Sequence, residues 1–184
     1  SLVARISPSN VTTTKYFLRV STDSFVTINN TFITEISATD YFRVIDVNTN
    51  GTLTLNNITY TYARIVNTKS DHMFAYIYAN GRASLTNSVI QNNYADSQSV
   101  KTYYFYVNSQ ANLTVRNVSM SNITFSGYSY FARMLQKNNL VFEGVQMDSL
   151  TLTYRNYLPV FIDMASLSSA RINDISLTNG VFTD

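Results

Sequence analysis

The chain has 184 residues with 13 basic and 11 acidic side chains, one His, no Cys and no Trp, a length that favours one domain with room for a core. Asn, Ser and Thr fill 64 positions (21, 21 and 22), while 45% of residues are hydrophobic and 14% aromatic. The apolar content argues against a disordered tail, and the scarcity of Leu, Ala, Glu and Lys argues against a helical bundle, which leaves an all-β protein. The lack of Cys excludes disulfides and thiol chemistry.

One apolar position recurs along the chain and marks successive copies of a repeat. The segments 51–60 and 111–120 align without gaps, and further segments join them. In chain order the central residues of the copies, here called anchors, are Ile6, Ile28, Leu55, Leu85, Val115, Phe142 and Ile172, at spacings of 22, 27, 30, 30, 27 and 30 residues. These spacings predict seven copies, of which the first is the shortest.

Each copy contains three predicted strands in the same order. The first carries apolar residues ten and eight positions before the anchor, for example Leu18 and Val20. The second carries the anchor and the apolar residue two before it, and the third carries apolar residues three and five after it. Alternation with a period of two is typical of strands. The phase of this apolar–polar alternation changes two residues after the anchor, where Asn or Gly predicts a sharp bend.

Each copy has too few residues for a helical connection between its strands, and the copies repeat regularly. This predicts a parallel β-helix in which each copy is one coil and equivalent residues stack ~4.8 Å apart. The charged residues support this alignment. Nine positions before the anchor stand Arg19, Asp46, Tyr76, Tyr106, Arg133 and Asp163. This column places Arg beside Asp twice and Tyr beside Tyr once, which are favourable pairs on adjacent strands.

The pattern Leu-x-Leu/Val-x-Asn-Ile/Val-x-Tyr/Met in residues 53–60 and 113–120 resembles the right-handed parallel β-helix repeat of pectin-lyase-like proteins. The resemblance covers essentially the whole chain. It implies an all-β, right-handed parallel β-helix solenoid of about seven coils of 22–30 residues. It also implies that Asn30, Asn57, Asn87 and Asn117 form a structural ladder at the bend, and that this ladder shields their amides.

The acidic residues do not form the clusters that polysaccharide hydrolases and lyases of this superfamily use. Asp46 and Asp163 have Arg neighbours, which predicts structural ion pairs, and a carboxylate pair of Glu143 and Asp148 is the weaker interpretation. The single His, His72, is interpreted as a surface residue. We therefore predict no catalytic residue, no metal ligand and no cofactor.

Tyrosine is abundant, with 14 copies, and an aromatic column lies eleven positions before the anchor. Its favoured interpretation is a stack that seals a corner of each coil. The alternative is a flat platform for sugar rings or a protein, formed by Tyr76, Tyr104 and Tyr106.

Seven Asn-x-Ser/Thr triplets occur, a number close to chance. Asn57 and Asn117 are expected to be shielded in the ladder, and of the other five Asn10, Asn50, Asn112 and Asn122 are the possible glycan acceptors. The low charge, together with analogy to other β-helix proteins, favours an extracellular or cell-surface location. A net charge of +2 without a basic run, and the lack of a long apolar run, predict neither nucleic-acid binding nor membrane insertion.

These observations lead to three functional hypotheses. The first is a noncatalytic structural or adhesive β-helix of a surface protein or fibre. In this hypothesis residues 1–184 are one β-helix domain that is continued by further coils, or whose copies stack end to end, because no polar cap is visible. The second is a polysaccharide-binding or polysaccharide-cleaving β-helix that uses a Tyr-rich face. The third is a tailspike-like domain, which would be a trimer.

Overall fold

The computed structural model describes residues 15–39, 42–66, 72–153, 160–165 and 167–183, which form strands, bends and turns without a helix. In chain order the strands are β1 (Lys15–Val20), β2 (Phe25–Thr34), β3 (Ser37–Thr39), β4 (Phe42–Val47), β5 (Thr52–Thr61), β6 (Arg64–Val66), β7 (His72–Ile77), β8 (Arg82–Asn108), β9 (Asn112–Leu135), β10 (Asn139–Thr153), β11 (Val160–Met164), β12 (Ser169–Asn173), β13 (Ser176–Thr178) and β14 (Val181–Thr183).

The strands stack into a parallel β-solenoid, which confirms the predicted fold class. Every pairing is parallel, and the partners are the equivalent residues of successive copies, so that Ile28 lies beside Leu55, Leu55 beside Leu85, and Leu85 beside Val115. Five successive pairings join the first strands of six layers, which make about five turns. The predicted count of seven coils is too high for this part of the chain, and the anchor Ile6 lies outside the described residues.

Two bends with left-handed backbone divide the rest of each coil. The first lies two residues after the anchor, as predicted, where Asn30, Asn57, Asn87, Asn117, Gly144 and Asp174 have φ between 51° and 62°. The second lies seven residues after the anchor, where Glu35, Tyr62, Asn92, Asn122, Ser149 and Asn179 have φ between 52° and 59°. The second bend was not predicted, because Glu and Tyr are not typical of this conformation.

Beyond the second bend each coil has a fourth strand segment, so the prediction of three strands per copy is wrong. Its apolar residues lie ten positions after the anchor, and Ile65, Ala95, Phe125 and Leu152 are buried. This apolar column is the sequence signal that identifies the segment. Four segments enclose the core on all sides, and the apolar columns of every segment meet inside it.

The core is filled mainly by aliphatic and aromatic side chains that stack from layer to layer. The column eleven positions before the anchor points inward, and Tyr104 stacks between Phe74 and Phe131 at ring-centroid distances of 4.7 and 5.7 Å. Phe161 continues the stack 4.8 Å from Phe131. This arrangement confirms the interpretation of the column as a seal at one corner of each coil.

Polar groups inside the coil are tied to the backbone of neighbouring layers. The buried Asn138 amide accepts a hydrogen bond from the Ala111 N–H at 3.0 Å and donates to Val107 O at 2.9 Å and to Leu135 O. Buried Asn93 and Ser88 accept from the N–H groups of Ala63 and Ile58, both at 3.1 Å. Such bonds replace ladder bonds at the corners, where the backbone turns away from its partner strand.

Candidate functional site: a tyrosine–arginine face

The side chains that point outward from the first strands form a continuous face of aromatic and charged groups, of which Asp46 and Tyr103 are buried. Its residues lie twelve, nine and seven positions before the anchors and alternate with the inward columns. This tyrosine–arginine face consists of Tyr16, Arg19, Arg43, Asp46, Tyr76, Tyr78, Tyr103, Tyr106, Tyr130, Arg133 and Asp163. The predicted column nine positions before the anchor is present in full, because Arg19 pairs with Asp46, Tyr76 with Tyr106, and Arg133 with Asp163.

At one end of the face a buried carboxylate holds two guanidinium groups. Asp46 Oδ2 lies 2.6 Å from Arg43 Nη1, and Asp46 Oδ1 lies 3.6 Å from Arg19 Nε. The Asp46 side chain is 1% exposed and that of Arg19 46% exposed. Arg19 also covers the ring of Tyr16 at 4.7 Å, and Arg43 covers the ring of Tyr76 at 3.9 Å. These cation–π contacts stabilise charges that are partly removed from water.

The centre of the face consists of tyrosine rings that contact one another. Tyr76 and Tyr106 stack at 5.2 Å, and Tyr103 and Tyr130 stack at 5.3 Å. Burial raises the pKa of Tyr76 to about 12, although the positive charge of Arg43 acts in the opposite direction. Because one face of the Tyr76 ring lies against Arg43 and the other against Tyr106, its edge and hydroxyl group are what the ring presents to solvent.

At the other end Arg133 connects the rings to a second carboxylate. Arg133 Nε lies 2.9 Å from Asp163 Oδ2, and Arg133 Nη1 donates a hydrogen bond to the Tyr103 hydroxyl at 3.1 Å. The guanidinium also lies 5.2 Å from the Tyr130 ring centre. Partial burial opposes the charge of Arg133, but the Tyr103 hydrogen bond and the neighbouring Asp163 raise its pKa overall.

Sequence reasoning found only part of this face. It missed Arg43, Tyr103 and Tyr130, which share the column twelve positions before the anchor with Tyr16. The repeated aromatic and Arg residues in that column were a signal, but the alternation of the strand does not extend to it. Residues ten and eleven positions before the anchor both point inward, as Tyr104 and Phe105 do, so the simple inside–outside pattern fails at this corner.

The predicted aromatic platform is corrected at one position. Tyr104 is 1% exposed and belongs to the core, so its assignment to a platform is wrong. Burial raises its pKa well above the ordinary value, the nearby Tyr60 acts in the same direction, and the Asn93 amide acts in the opposite direction. Tyr76 and Tyr106 lie on the outer face, half-buried. Their use as a platform stays a prediction.

The predicted asparagine ladder is present, but it lies on the outside. Asn57 donates to Asn30 Oδ1 at 2.6 Å and Asn117 to Asn87 Oδ1 at 3.3 Å, whereas Asn87 donates to the neighbouring Asn56 Oδ1 at 2.9 Å. All four predicted ladder residues are exposed, so the expected shielding is wrong. At these convex bends the left-handed backbone directs the side chain outward. Asn122 and Asn92 form a similar contact at the second bend, at 3.1 Å.

The possible glycan acceptors differ in exposure. Asn50 is exposed at a turn and donates to Asp23 Oδ1 at 2.9 Å, Asn122 is exposed at the second bend, and Asn112 is half-buried. Asn10 lies outside the described residues. An Asn that carries a glycan keeps one amide N–H, so the hydrogen bonds of Asn50 and Asn122 are compatible with modification. Whether these residues carry glycans stays a prediction.

The acidic side chains outside the face also contact neighbouring layers. Glu143 lies 3.0 Å from Arg116 Nε, and Asp148 accepts hydrogen bonds from Thr178 at 3.0 Å and from Asn179 at 2.8 Å. The Asn179 and Thr178 hydrogen bonds hold the pKa of Asp148 below its ordinary value. Within the described ranges no three His, Asp or Glu side chains gather as metal ligands, and no helix has the length and apolarity needed to cross a membrane.

The chain matches no protein-family model, no curated protein and no solved structure. The fold and the contacts of its side chains therefore carry the functional argument.

Proposed function

We propose that the chain is a noncatalytic structural or adhesive β-solenoid of an extracellular or surface protein, with coils of the right-handed, pectin-lyase-like kind. The observation that carries the proposal is the use of the carboxylates. Six acidic side chains of the described residues bridge neighbouring layers: Asp23, Asp46, Asp96, Glu143, Asp148 and Asp163. Carboxylates held by Arg, Asn, Ser and Thr partners in the next layer serve stacking, which is the function of a scaffold.

The last described layer supports association with further β-structure. Its inward positions Ile172, Leu177 and Phe182 are 46%, 39% and 40% exposed, and among the described residues these strands pair on one side only, with β10. Apolar, unpaired strand edges favour pairing with another strand. Our proposal therefore includes a further layer against this edge, supplied by the same polypeptide or by another molecule.

A second role in glycan binding has less support from the geometry. Sugar rings stack on open aromatic faces, whereas the faces of Tyr76 and Tyr106 lie against each other and those of Tyr103 and Tyr130 likewise. Glycan binding through the hydroxyl edges of these rings is the form of this alternative that the structure allows. Glycan binding is tested with the same polysaccharides that are used to test for catalysis.

The proposal that the chain is noncatalytic is tested by incubating the purified chain with acidic and neutral polysaccharides and measuring the reducing ends that are released. We expect no release above a heat-denatured control. Release that occurs with the native chain and disappears in Glu143→Gln or Asp148→Asn would overturn the proposal, since these two residues are the carboxylate pair considered from the sequence. Binding without cleavage would shift the assignment to an adhesive role.

The proposed extracellular location is tested by expressing the chain for secretion from a eukaryotic host and treating the product with an N-glycosidase. We expect a mass decrease that becomes smaller in Asn50→Gln. The matched control is Asn80→Gln, because Asn80 occupies the equivalent turn one layer further on but is followed by Gly81 and Arg82 and is no acceptor. Retention of the chain in the cell, with no glycan on any Asn, would contradict the assignment.

A further inference from the structure

Five tyrosines of the tyrosine–arginine face form an unbroken series of ring contacts, here called the tyrosine chain. Tyr78 lies 4.9 Å from Tyr76, Tyr76 lies 5.2 Å from Tyr106, and Tyr106 lies 4.9 Å from Tyr103. Tyr130 completes the series at 5.3 Å from Tyr103. The distances are those of direct aromatic contact, and the phenol groups belong to three successive layers.

Two of these contacts join neighbouring layers in register. Tyr76 pairs with Tyr106, and Tyr103 pairs with Tyr130, in the parallel ladder. Their rings are near-parallel, with interplanar angles of 22° and 24°, whereas the contacts within one layer are tilted by 37° and 60°. The backbone hydrogen bonds of the ladder thus hold two pairs of phenol rings face to face.

We propose that the pairs Tyr76/Tyr106 and Tyr103/Tyr130 are sites of oxidative cross-linking to dityrosine. The co-reactant is hydrogen peroxide acting through a haem peroxidase. Each phenol loses one electron and one proton, which reduce the peroxide to water. The two phenoxyl radicals then form a carbon–carbon bond between ring positions next to the hydroxyl groups. The hydrogens on these carbons move to the oxygens, which restores both phenols, so each link removes two hydrogen atoms in total.

The same reasoning predicts no such link at Tyr60, Tyr62 and Tyr104. Tyr60 and Tyr104 are buried, and both contact Phe74, with a tilted ring for Tyr60 and a stacked ring for Tyr104. A phenylalanine ring yields no phenoxyl radical. Tyr62 is 61% exposed at the second bend and has no stacked ring partner within the described part of the chain. Tyr76, Tyr106 and Tyr130, in contrast, are half-buried, so that their protons can pass to water while their rings stay in contact.

Tyr103 is only 2% exposed, so exposure alone does not distinguish the proposed pairs. Its ring stacks on the half-buried Tyr130, and its hydroxyl accepts a hydrogen bond from Arg133. What distinguishes Tyr103 from Tyr60 and Tyr104 is therefore a stacked tyrosine partner.

Such links would give this chain a covalent connection between layers that it otherwise lacks, because it has no cysteine. The bonds would close loops of 30 residues (106 minus 76) and 27 residues (130 minus 103). A cross-link of this size restricts the unfolded chain as a disulfide does. The inference does not depend on the proposed scaffold function, since it follows from the ring contacts alone.

The experiment treats the folded chain with peroxide and a haem peroxidase and maps the products by peptide mass spectrometry. We expect monomers that have lost two hydrogens per link, dityrosine fluorescence, and linked peptides containing Tyr76 with Tyr106 and Tyr103 with Tyr130. Tyr106→Phe removes the first link and Tyr130→Phe the second, while each keeps a ring in the stack. Tyr62→Phe is the matched control and leaves both links in place.

A reaction in denaturant shows whether the links depend on ring contacts in the folded chain or only on the reactivity of the phenol groups. In urea we expect the two specific links to disappear, and the linked folded chain is expected to unfold at a higher urea concentration than the untreated chain. The proposal is overturned if dityrosine persists in the Tyr106→Phe/Tyr130→Phe double variant, or if the links are intermolecular and pass through Tyr62. Failure to form any dityrosine in the folded chain overturns it as well.

Discussion

Arg43 and Asp46 lie three residues apart on the same strand, and Arg43 Nη1 is 2.6 Å from the buried Asp46 Oδ2. The same guanidinium covers the ring of Tyr76 in the next layer, and the same carboxylate lies near Arg19 in the layer before. One ion pair therefore connects three layers of the solenoid.

Replacement of Asp46 is expected to be costly. Asp46→Asn leaves Arg43 without its counter-ion in a site where water is largely excluded, so we expect a loss of about 3–5 kcal/mol in the free energy of unfolding. Arg19→Gln is the matched control, since the exposed Arg19 contributes about 0–1 kcal/mol. Urea unfolding followed by circular dichroism measures both. Equal losses for the two variants would show that Arg43 and Asp46 do not form the dominant pair.

The buried amide of Asn138 predicts a loss of similar size for a different reason. Asn138→Ala removes hydrogen bonds to Ala111, Val107 and Leu135 and leaves their backbone groups unsatisfied inside the protein. We expect a loss of about 3 kcal/mol in thermal or urea unfolding. Asn139→Ala, one residue further on and exposed, is expected to stay within about 0.5 kcal/mol of the parent chain. A mild effect at Asn138 would mean that the turn rearranges.

The exposed ladder allows the backbone and amide contributions of an Asn to be separated. Asn117 has φ 52° and donates to Asn87. Asn117→Gly removes the amide but tolerates the left-handed backbone, so we expect a loss below about 1 kcal/mol. Asn117→Ala also strains the backbone, which adds about 1 kcal/mol. If the two variants are equally stable, the left-handed conformation is not what selects Asn at this bend.

The hydroxyl group of Tyr104 is expected to contribute nothing to stability. It is buried without a hydrogen-bond partner among the described residues, so Tyr104→Phe keeps the aromatic stack and removes a desolvated polar group. We expect an unchanged or slightly higher free energy of unfolding. Tyr103→Phe removes the acceptor of the Arg133 hydrogen bond and should cost about 1 kcal/mol. A clear loss in Tyr104→Phe would indicate an internal partner for its hydroxyl.

The pKa of Tyr76 predicts a stability change at high pH. Burial raises this pKa to about 12, while an unfolded tyrosine titrates near ~10. The contribution is therefore complete below pH ~10 and is lost as the pH rises through about 12, because the unfolded chain releases the proton first. Unfolding at pH 9 to 12 should show a smaller decline for Tyr76→Phe than for the parent chain. Parallel declines would place the Tyr76 pKa near its ordinary value.

Much of the fold follows from the sequence because stacking converts spacing along the chain into distance in space. In a parallel solenoid, residues one repeat apart become neighbours ~4.8 Å apart. The anchors from Ile28 onward, the first bend and the Arg19–Asp46 and Arg133–Asp163 pairs were therefore predicted from spacing and confirmed. The second bend was missed because Glu35 and Tyr62 adopt a conformation that their residue types do not indicate.

The sequence by itself thus determined which residues stack on one another, whereas the tertiary structure decided which way each column faces. Tyr104 and Tyr106 are two residues apart on the same strand, yet one ring is in the core and the other on the outer face. The physical reason is the corner at Tyr104 and Phe105, where two successive side chains point inward and reverse the alternation. The outward direction of the asparagine ladder has a similar origin, because a left-handed bend directs its side chain away from the core.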